Sequence, residues 1–241
     1  MSGTELKKIF LNKSEIKAMD AEHKRKLSFN IGKYNDTVVK GKQQFSDLEN
    51  ARKKAKNIKW KTIENLDKYL TEFEKNFTNN GGKVIWANDA QEANEAILQI
   101  CKLHQTKQVV KSKSMVTEEI HLNDFLEKNN IESVETDLGE YIQQLDGEAP
   151  YHIVTPAMHK SKEDVAKLFH QKLGVEPNLT PSELTLIARK NLRAKYTSAQ
   201  IGVTGGNFLL ADVGGVCVTE NEGNGRLTTA FPKVHIAIVG I

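Results

Sequence analysis

Between Leu48 and Phe73 the apolar residues recur every third or fourth position: Leu48, Ala51, Ala55, Ile58, then Ile63, Leu66, Tyr69, Leu70 and Phe73. That spacing gathers them on one side of a 3.6-residue helix. Residues 1–80 contain no proline and few strand-like runs, so the whole stretch reads as helical. Asn79-Asn80-Gly81-Gly82 then interrupts the pattern with residues that tolerate left-handed backbone. A boundary placed there divides an N-terminal helical extension, 1–80, from a second unit, 81–241.

Beyond it the rhythm alternates between strand and helix. Lys83 to Ala87 reads as a short buried strand, with Asn88-Asp89 capping a helix over 90–105. Gln108 to Val110 is the second strand, followed by a helix from Val116 to Asn129. Ser133 to Thr136 is the third and His152 to Thr155 the fourth, with Ser161 opening the next helix. Thr180-Pro181-Ser182-Glu183 is a capping box with proline at the first helical position. Strands separated by helices predict a parallel sheet covered on both faces. The tail differs: Phe208–Ala211 and Gly215–Val218, separated by Asp212-Val213-Gly214, have hairpin spacing, and Val234–Val239 is the most apolar strand. The fold class is therefore α/β, a mostly parallel layered sheet with a helical extension in front.

Composition narrows the function classes. The 241 residues are 39% hydrophobic and 27% charged, ordinary for a globular protein. No run approaches the roughly 18 apolar residues of a membrane span, and the N-terminus lacks a secretory apolar region. Cys101 and Cys217, far apart, suit a reduced cytoplasmic protein. Residues 1–75 hold 18 Lys/Arg against 11 Asp/Glu, net +7; the rest hold 16 against 20, net −4. The lysines Lys53, Lys54, Lys56, Lys59 and Lys61 sit among acids at helical spacing without aromatic stacking platforms, so a solvated face explains them and nucleic acid is not expected. The spacings His-x-x-x-His and Cys-x-x-Cys are missing, as are the phosphate-binding glycine loops, so zinc, ATP and nicotinamide are unsupported.

Candidate chemistry concentrates in Thr219-Glu220-Asn221-Glu222-Gly223-Asn224-Gly225-Arg226. Two carboxylates, two carboxamides, two glycines and an arginine are too polar for a strand interior, and Gly223 and Gly225 permit positive φ. The segment reads as a tight loop at a strand end, where open α/β sheets bind ligands. Arg226 offers a planar fork to a carboxylate or phosphate. Thr204-Gly205-Gly206-Asn207 is a second small-residue turn able to present N–H groups to the same anion. Lys113, in the turn after the second strand, and His159, after the fourth, can reach the same edge. Glu222 either joins the site or pairs with Arg226. His152 and His235, inside apolar strands, read as core histidines.

Several longer strings carry a family resemblance: Val110-Lys111-Ser112-Lys113-Ser114-Met115-Val116-Thr117-Glu118-Glu119-Ile120, Glu135-Thr136-Asp137-Leu138-Gly139-Glu140-Tyr141-Ile142 and His152-Ile153-Val154-Thr155-Pro156-Ala157-Met158-His159-Lys160. The last is Gly202 to Phe208, running into Asn221-Glu222-Gly223-Asn224-Gly225-Arg226-Leu227-Thr228-Thr229. Together they resemble the LUD domain of lactate-utilisation iron–sulfur proteins. The resemblance implies a layered sheet similar to the sugar-phosphate isomerase and coenzyme A transferase group. It also implies a place in a multi-subunit complex oxidising L-lactate to pyruvate, with sister subunits as partners and a small anion as ligand, Thr228 included in the binding string. Full-length relatives are expected to carry [4Fe–4S] clusters in a cysteine-rich half that would begin where this chain stops. Two cysteines cannot supply four thiolates, so no cofactor is expected in this chain. Where the family carries an acid, threonine, glycine and serine, this chain has Asp212-Val213-Gly214-Gly215. By likeness to the transferases, Glu220 or Glu222 is a candidate catalytic base or nucleophile. The alternatives are a stand-alone transferase-like or isomerase-like enzyme, or a non-catalytic subunit-docking module.

Overall fold

The structure, a computed structural model, describes residues 3–151, 155–220 and 222–241. Four helices lead: α1 (Gly3–Met19), α2 (Ala21–Lys42), α3 (Leu48–Glu64) and α4 (Leu66–Asn79). Asp20 and Asp47 cap α2 and α3 by accepting the backbone N–H three residues on. None of α1 to α3 buries a residue, whereas α4 buries Phe73.

The second unit runs α5 (Ala90–Leu103), β1 (Gln108–Lys111), α6 (Met115–Glu119), α7 (Leu122–Lys128), β2 (Glu132–Glu135), α8 (Leu138–Asp146), α9 (Lys162–Leu173), α10 (Pro181–Ser198), β3 (Ile201–Gly205), β4 (Phe208–Leu210), β5 (Gly215–Cys217), α11 (Asn224–Ala230) and β6 (Val234–Ile238). Four strands pair in parallel in the order β2-β1-β3-β6, and β4 with β5 form a separate antiparallel ribbon. Alternate residues of β1 point to opposite faces. Val110 packs with Tyr141, Phe169, Leu184 and Tyr196, from α8, α9 and α10. Val109 packs with Ile97, Cys101, Leu122 and Leu126, from α5 and α7. The expected parallel sheet with helices on both faces is present, as are the antiparallel tail and the Thr180–Glu183 capping box; Ser161, expected to open α9, does so through a second capping box with Asp164.

Three expectations differ. The strand expected at residues 83–87 is not one: a strand needs a neighbour, the sheet takes none there, and Ile85 and Trp86 stay exposed. The single helix from 116 to 129 breaks into α6 and α7, because the Asn94 amide takes the Ile120 carbonyl at 2.7 Å and His121 turns to φ 52°. Within the polar stretch expected to be a loop, Gly223, φ 86°, starts α11, so Gly225 and Arg226 are helical. The strand expected at 152–155 lies mostly outside the described residues.

Helix α4 is fastened to the ribbon. The Asn76 amide donates to the Ala211 carbonyl at 2.8 Å and the Asn80 amide to that of Val213 at 2.8 Å. Gly214, φ 60°, sits where a Cβ would come 2.4 Å from the α4 backbone.

Candidate functional site

In the order β2-β1-β3-β6 the chain leaves β1 first to one side and then returns on the other, so the connections diverge between β1 and β3. Open sheets bind ligands outside the carboxyl ends of strands at such a point. The turns there pack tightly. A Cβ on Gly205 would stand 2.8 Å from Ser114 Oγ, and one on Gly206 2.8 Å from a Val239 methyl. These glycines serve close packing of the β1 and β3 turns.

From Asn207 the geometry builds outward. Its N–H donates to the Cys217 carbonyl at 2.9 Å, and its Oδ1 accepts the Thr219 N–H at 2.8 Å. That fixes Glu220, whose Oε2 accepts the Arg226 N–H at 2.7 Å while Oε1 lies 3.3 Å from Arg226 Nε. The turn of α11 permits this because Gly225 leaves room: a Cβ there would meet Glu220 Oε2 at 3.3 Å. Asn224 Oδ1 accepts the Gly225 N–H. The outer part of Arg226 is left to solvent, its side chain 75% exposed.

Beside this pair is a cavity of about 460 Å³, with Glu220, Gly225, Arg226 and Thr229 on one side and His235 and Ala237 of β6 on another. Phe77 from α4 and Val216 and Val218 supply apolar wall. The reading of His235 as a core histidine is corrected: it is exposed, and its Nε2 shares a hydrogen bond with the buried Thr204 hydroxyl at 2.8 Å. Although the residue as a whole is exposed, its ring is partly desolvated, which pushes the imidazole below its ordinary pKa.

Other candidates fall elsewhere. Glu222 does not pair with Arg226; Glu220 does. Glu222 Oε1 instead accepts the Leu138 N–H at 3.1 Å, at the N-terminus of α8, which Asp137 also caps. Burial of the carboxyl, then Asp137, pushes its pKa up, while the Leu138 N–H and Lys113 oppose this. Lys113 therefore belongs with Glu222 on the β1–β2 side. Thr228 is fully buried, its hydroxyl 3.3 Å from that of Thr136, and ties α11 to the end of β2. His159 is remote from Arg226, with its Nε2 2.9 Å from Glu148 and its ring stacked on Tyr151. Asn221 lies outside the described residues.

Helix α11 reaches its place because β3 has no side chain at Gly202, where a Cβ would sit 2.0 Å from the Thr228 carbonyl oxygen. Gly202→Ala is expected to lose about 1–3 kcal/mol of stability in urea unfolding by overpacking against backbone. Gly215→Ala on β5, where an added Cβ would make only ordinary contacts at 3.5 and 3.9 Å, serves as the control.

Sequence reasoning missed a buried ionic cluster. Lys111, placed above among residues of a recognition string, is fully buried at the end of β1. Its ammonium lies 2.8 Å from Glu135, 2.9 Å from the Thr117 hydroxyl and 3.2 Å from Glu118. Burial lowers the Lys111 pKa, but Glu135 and Glu118 outweigh it and the net direction is upward. Glu140 completes the group, its carboxyl pushed up to about 9 by burial and then by Glu135. The available signal was a lysine closing an apolar strand beside a glutamate closing the next, since β1 and β2 pair Lys111 with Glu135 in register.

An iron–sulfur cluster does not fit the thiols present. Cys101 is buried in α5 with its thiol pushed up to about 11, and Cys217 lies on β5. Among the described residues no helix is long and apolar enough to cross a membrane.

The LUD domain family matches residues 70–241, beginning within α4, whose Phe77 lines the cavity. The chain is 46% identical over 200 residues to lactate utilization protein B of Anoxybacillus flavithermus, covering 83% of this chain and 42% of that protein. It is 44% identical over 203 residues to lactate utilization protein B of Bacillus cytotoxicus, covering 84% and 43%. An Escherichia coli (strain K12) protein named as an electron transport protein, YkgF, is 45% identical over 198 residues, covering 82% and 42%. The chain thus spans less than half the length of these relatives. No solved structure matches. The match over most of its length settles its kinship: this chain belongs to the LUD domain family.

Proposed function

We propose that this domain serves an L-lactate-oxidising iron–sulfur complex by binding a small monocarboxylate, lactate or pyruvate, in the cavity between α11 and β6. The observation that carries the reading is Arg226 at the mouth of that cavity. Glu220 fixes its Nε and backbone N–H, and the solvent-facing guanidinium edge remains for a carboxylate. His235 lines the approach, its Nε2 held by the buried Thr204 hydroxyl, while Phe77, Val216 and Val218 suit a short carbon chain.

A transferase reading needs a carboxylate free to attack. Glu220 spends both oxygens on Arg226, and Glu222 is seated on the α8 N-terminus. Both geometries favour binding over covalent catalysis.

Titration calorimetry with lactate and pyruvate tests the proposal. Arg226→Gln is expected to weaken whichever anion binds by at least tenfold, about 1.4 kcal/mol, with the melting temperature unchanged. If neither anion binds the wild-type chain, or the variant binds equally well, the cavity is not the carboxylate site. A second reading, docking of sister subunits, is favoured by α1 to α3, which leave Phe10, Trp60 and Ile63 exposed. Were docking the whole role, Arg226→Gln would change nothing, while charged substitutions at Phe10 and Trp60 would prevent assembly.

A further inference from the structure

His235 of β6 lines the same cavity as Arg226. Among the described residues its ring makes one hydrogen bond, between Nε2 and the Thr204 hydroxyl at 2.8 Å. The sheet explains the contact. Gly202 pairs with His235 and Thr204 with Ala237, and residues two apart on a strand share a face. Thr204 and His235 therefore stand on the face where α11 packs over Gly202.

That one contact decides where the imidazole carries its proton. Thr204 is fully buried and its hydroxyl has no second partner, so water cannot take its hydrogen. If Nε2–H donated to the hydroxyl oxygen, the hydroxyl hydrogen would be stranded in the core at the full desolvation cost of a buried donor. The hydroxyl therefore donates and Nε2 accepts. The single proton of the neutral ring then sits on Nδ1, and Nδ1–H has no acceptor among the described residues. Desolvation, which lowers the imidazole pKa, favours the uncharged ring that this arrangement needs.

We infer that His235 reads carbon 2 of the ligand, its Nδ1–H donating to a 2-oxo oxygen while Arg226 holds the carboxylate, so that the site selects 2-oxo acids. Thr204 is a positioning residue that acts through the ring. The inference rests on the monocarboxylate reading above and supplies the ligand's second anchoring point. A 2-hydroxyl also accepts this hydrogen bond, but it brings a hydrogen of its own. Among the described residues the carboxylate lining the cavity is Glu220, which has both oxygens on Arg226, and the Thr229 hydroxyl donates to the Arg226 carbonyl. An unsubstituted alkanoate offers Nδ1–H no acceptor at all.

Proton–nitrogen correlation NMR of the histidine rings, at mildly alkaline pH, reads the tautomer of the full chain without any ligand; His235 is assigned by its loss in His235→Leu. A protonated Nδ1 and a bare Nε2 are expected. Thr204→Ser is expected to keep that pattern, and Thr204→Val, which removes the biasing hydroxyl, to let the other tautomer appear. Titration calorimetry is expected to show pyruvate binding more tightly than lactate, and about fivefold more tightly than propionate, as one hydrogen bond is worth. His235→Leu is expected to bring pyruvate down to the level of propionate and to leave propionate unchanged, which also reports a folded variant with Arg226 in place. A protonated Nε2 in the wild-type spectrum, lactate or propionate equalling pyruvate, or an equal loss for both pyruvate and propionate in His235→Leu would each overturn the inference. If none of the three acids binds the wild-type chain, the carboxylate site itself has failed and the ligand assignment falls with it, while the spectrum still decides the tautomer.

Discussion

Lys111→Met is expected to cost about 3–5 kcal/mol of stability, because it leaves the Glu135 carboxylate buried without its cation. Glu135 is 4% exposed and its Oε1 holds both the ammonium and the Asn123 amide, so water cannot replace what the substitution removes. The same cluster joins β1 to α6 through Thr117 and Glu118, so the turn carrying Ser112, Lys113 and Ser114 should loosen with it. Removing both charges in Lys111→Met/Glu135→Met is expected to recover much of the loss, since an apolar pair of similar volume avoids desolvating ions. Urea unfolding measures both. A single-variant loss below about 1 kcal/mol, or a double variant less stable than the single, would refute a paired buried charge at this place.

Glu140 gives the second large effect, one of pH. Its folded pKa of about 9 stands above the unfolded value of 4.5. Between those values the folded chain keeps a proton that the unfolded chain releases, so unfolding is favoured progressively as pH rises. The contribution is absent below about pH 4.5, grows through neutrality and levels off above about pH 9. At pH 7 the 2.5-unit gap to the unfolded value corresponds to about 3 kcal/mol. Glu140→Gln removes the titration while keeping the shape and a hydrogen-bond donor. It is expected to raise stability by about 2–3 kcal/mol at pH 7, with the gain shrinking toward pH 5. Denaturant melts from pH 5 to 9 decide this; a gain independent of pH would show that Glu140 is ionised in the folded chain. Asp164 and Glu148 do not confound the test. Lys26 and the Ser161 N–H overcome burial at Asp164, and His159 and Lys160 do so at Glu148, so both carboxyls lie below their usual range and act at acid pH.

The candidate site was legible in part. The polar string ending in Arg226 announced itself because carboxylates, glycines and an arginine have no reason to cluster in a strand. Its placement beside Asn207 holds, through Thr219 and Glu220. Which glutamate pairs with Arg226 was not legible, since both stand within reach along the chain and the choice depends on Leu138 presenting its N–H to Glu222. His159 could not be placed either. It follows the segment 152–155, and only the docking of α2 brings His23 and Tyr151 around it.

Local patterns alone specified the helices, their caps, the alternation that builds a parallel sheet and the spacing of the β4–β5 ribbon. Each depends on neighbours within a few residues: capping hydroxyls, apolar periods, glycine at a bend. Tertiary packing alone decided the rest. It withheld a partner from residues 83–87, broke the 116–129 helix with the amide of Asn94, drew His235 to a cavity rim and buried Lys111 among three glutamates. Those outcomes turn on which distant groups meet and on water being excluded between them. A charge or an extended strand has a definite energy only once its surroundings are fixed, and residues far apart along the chain supply those surroundings.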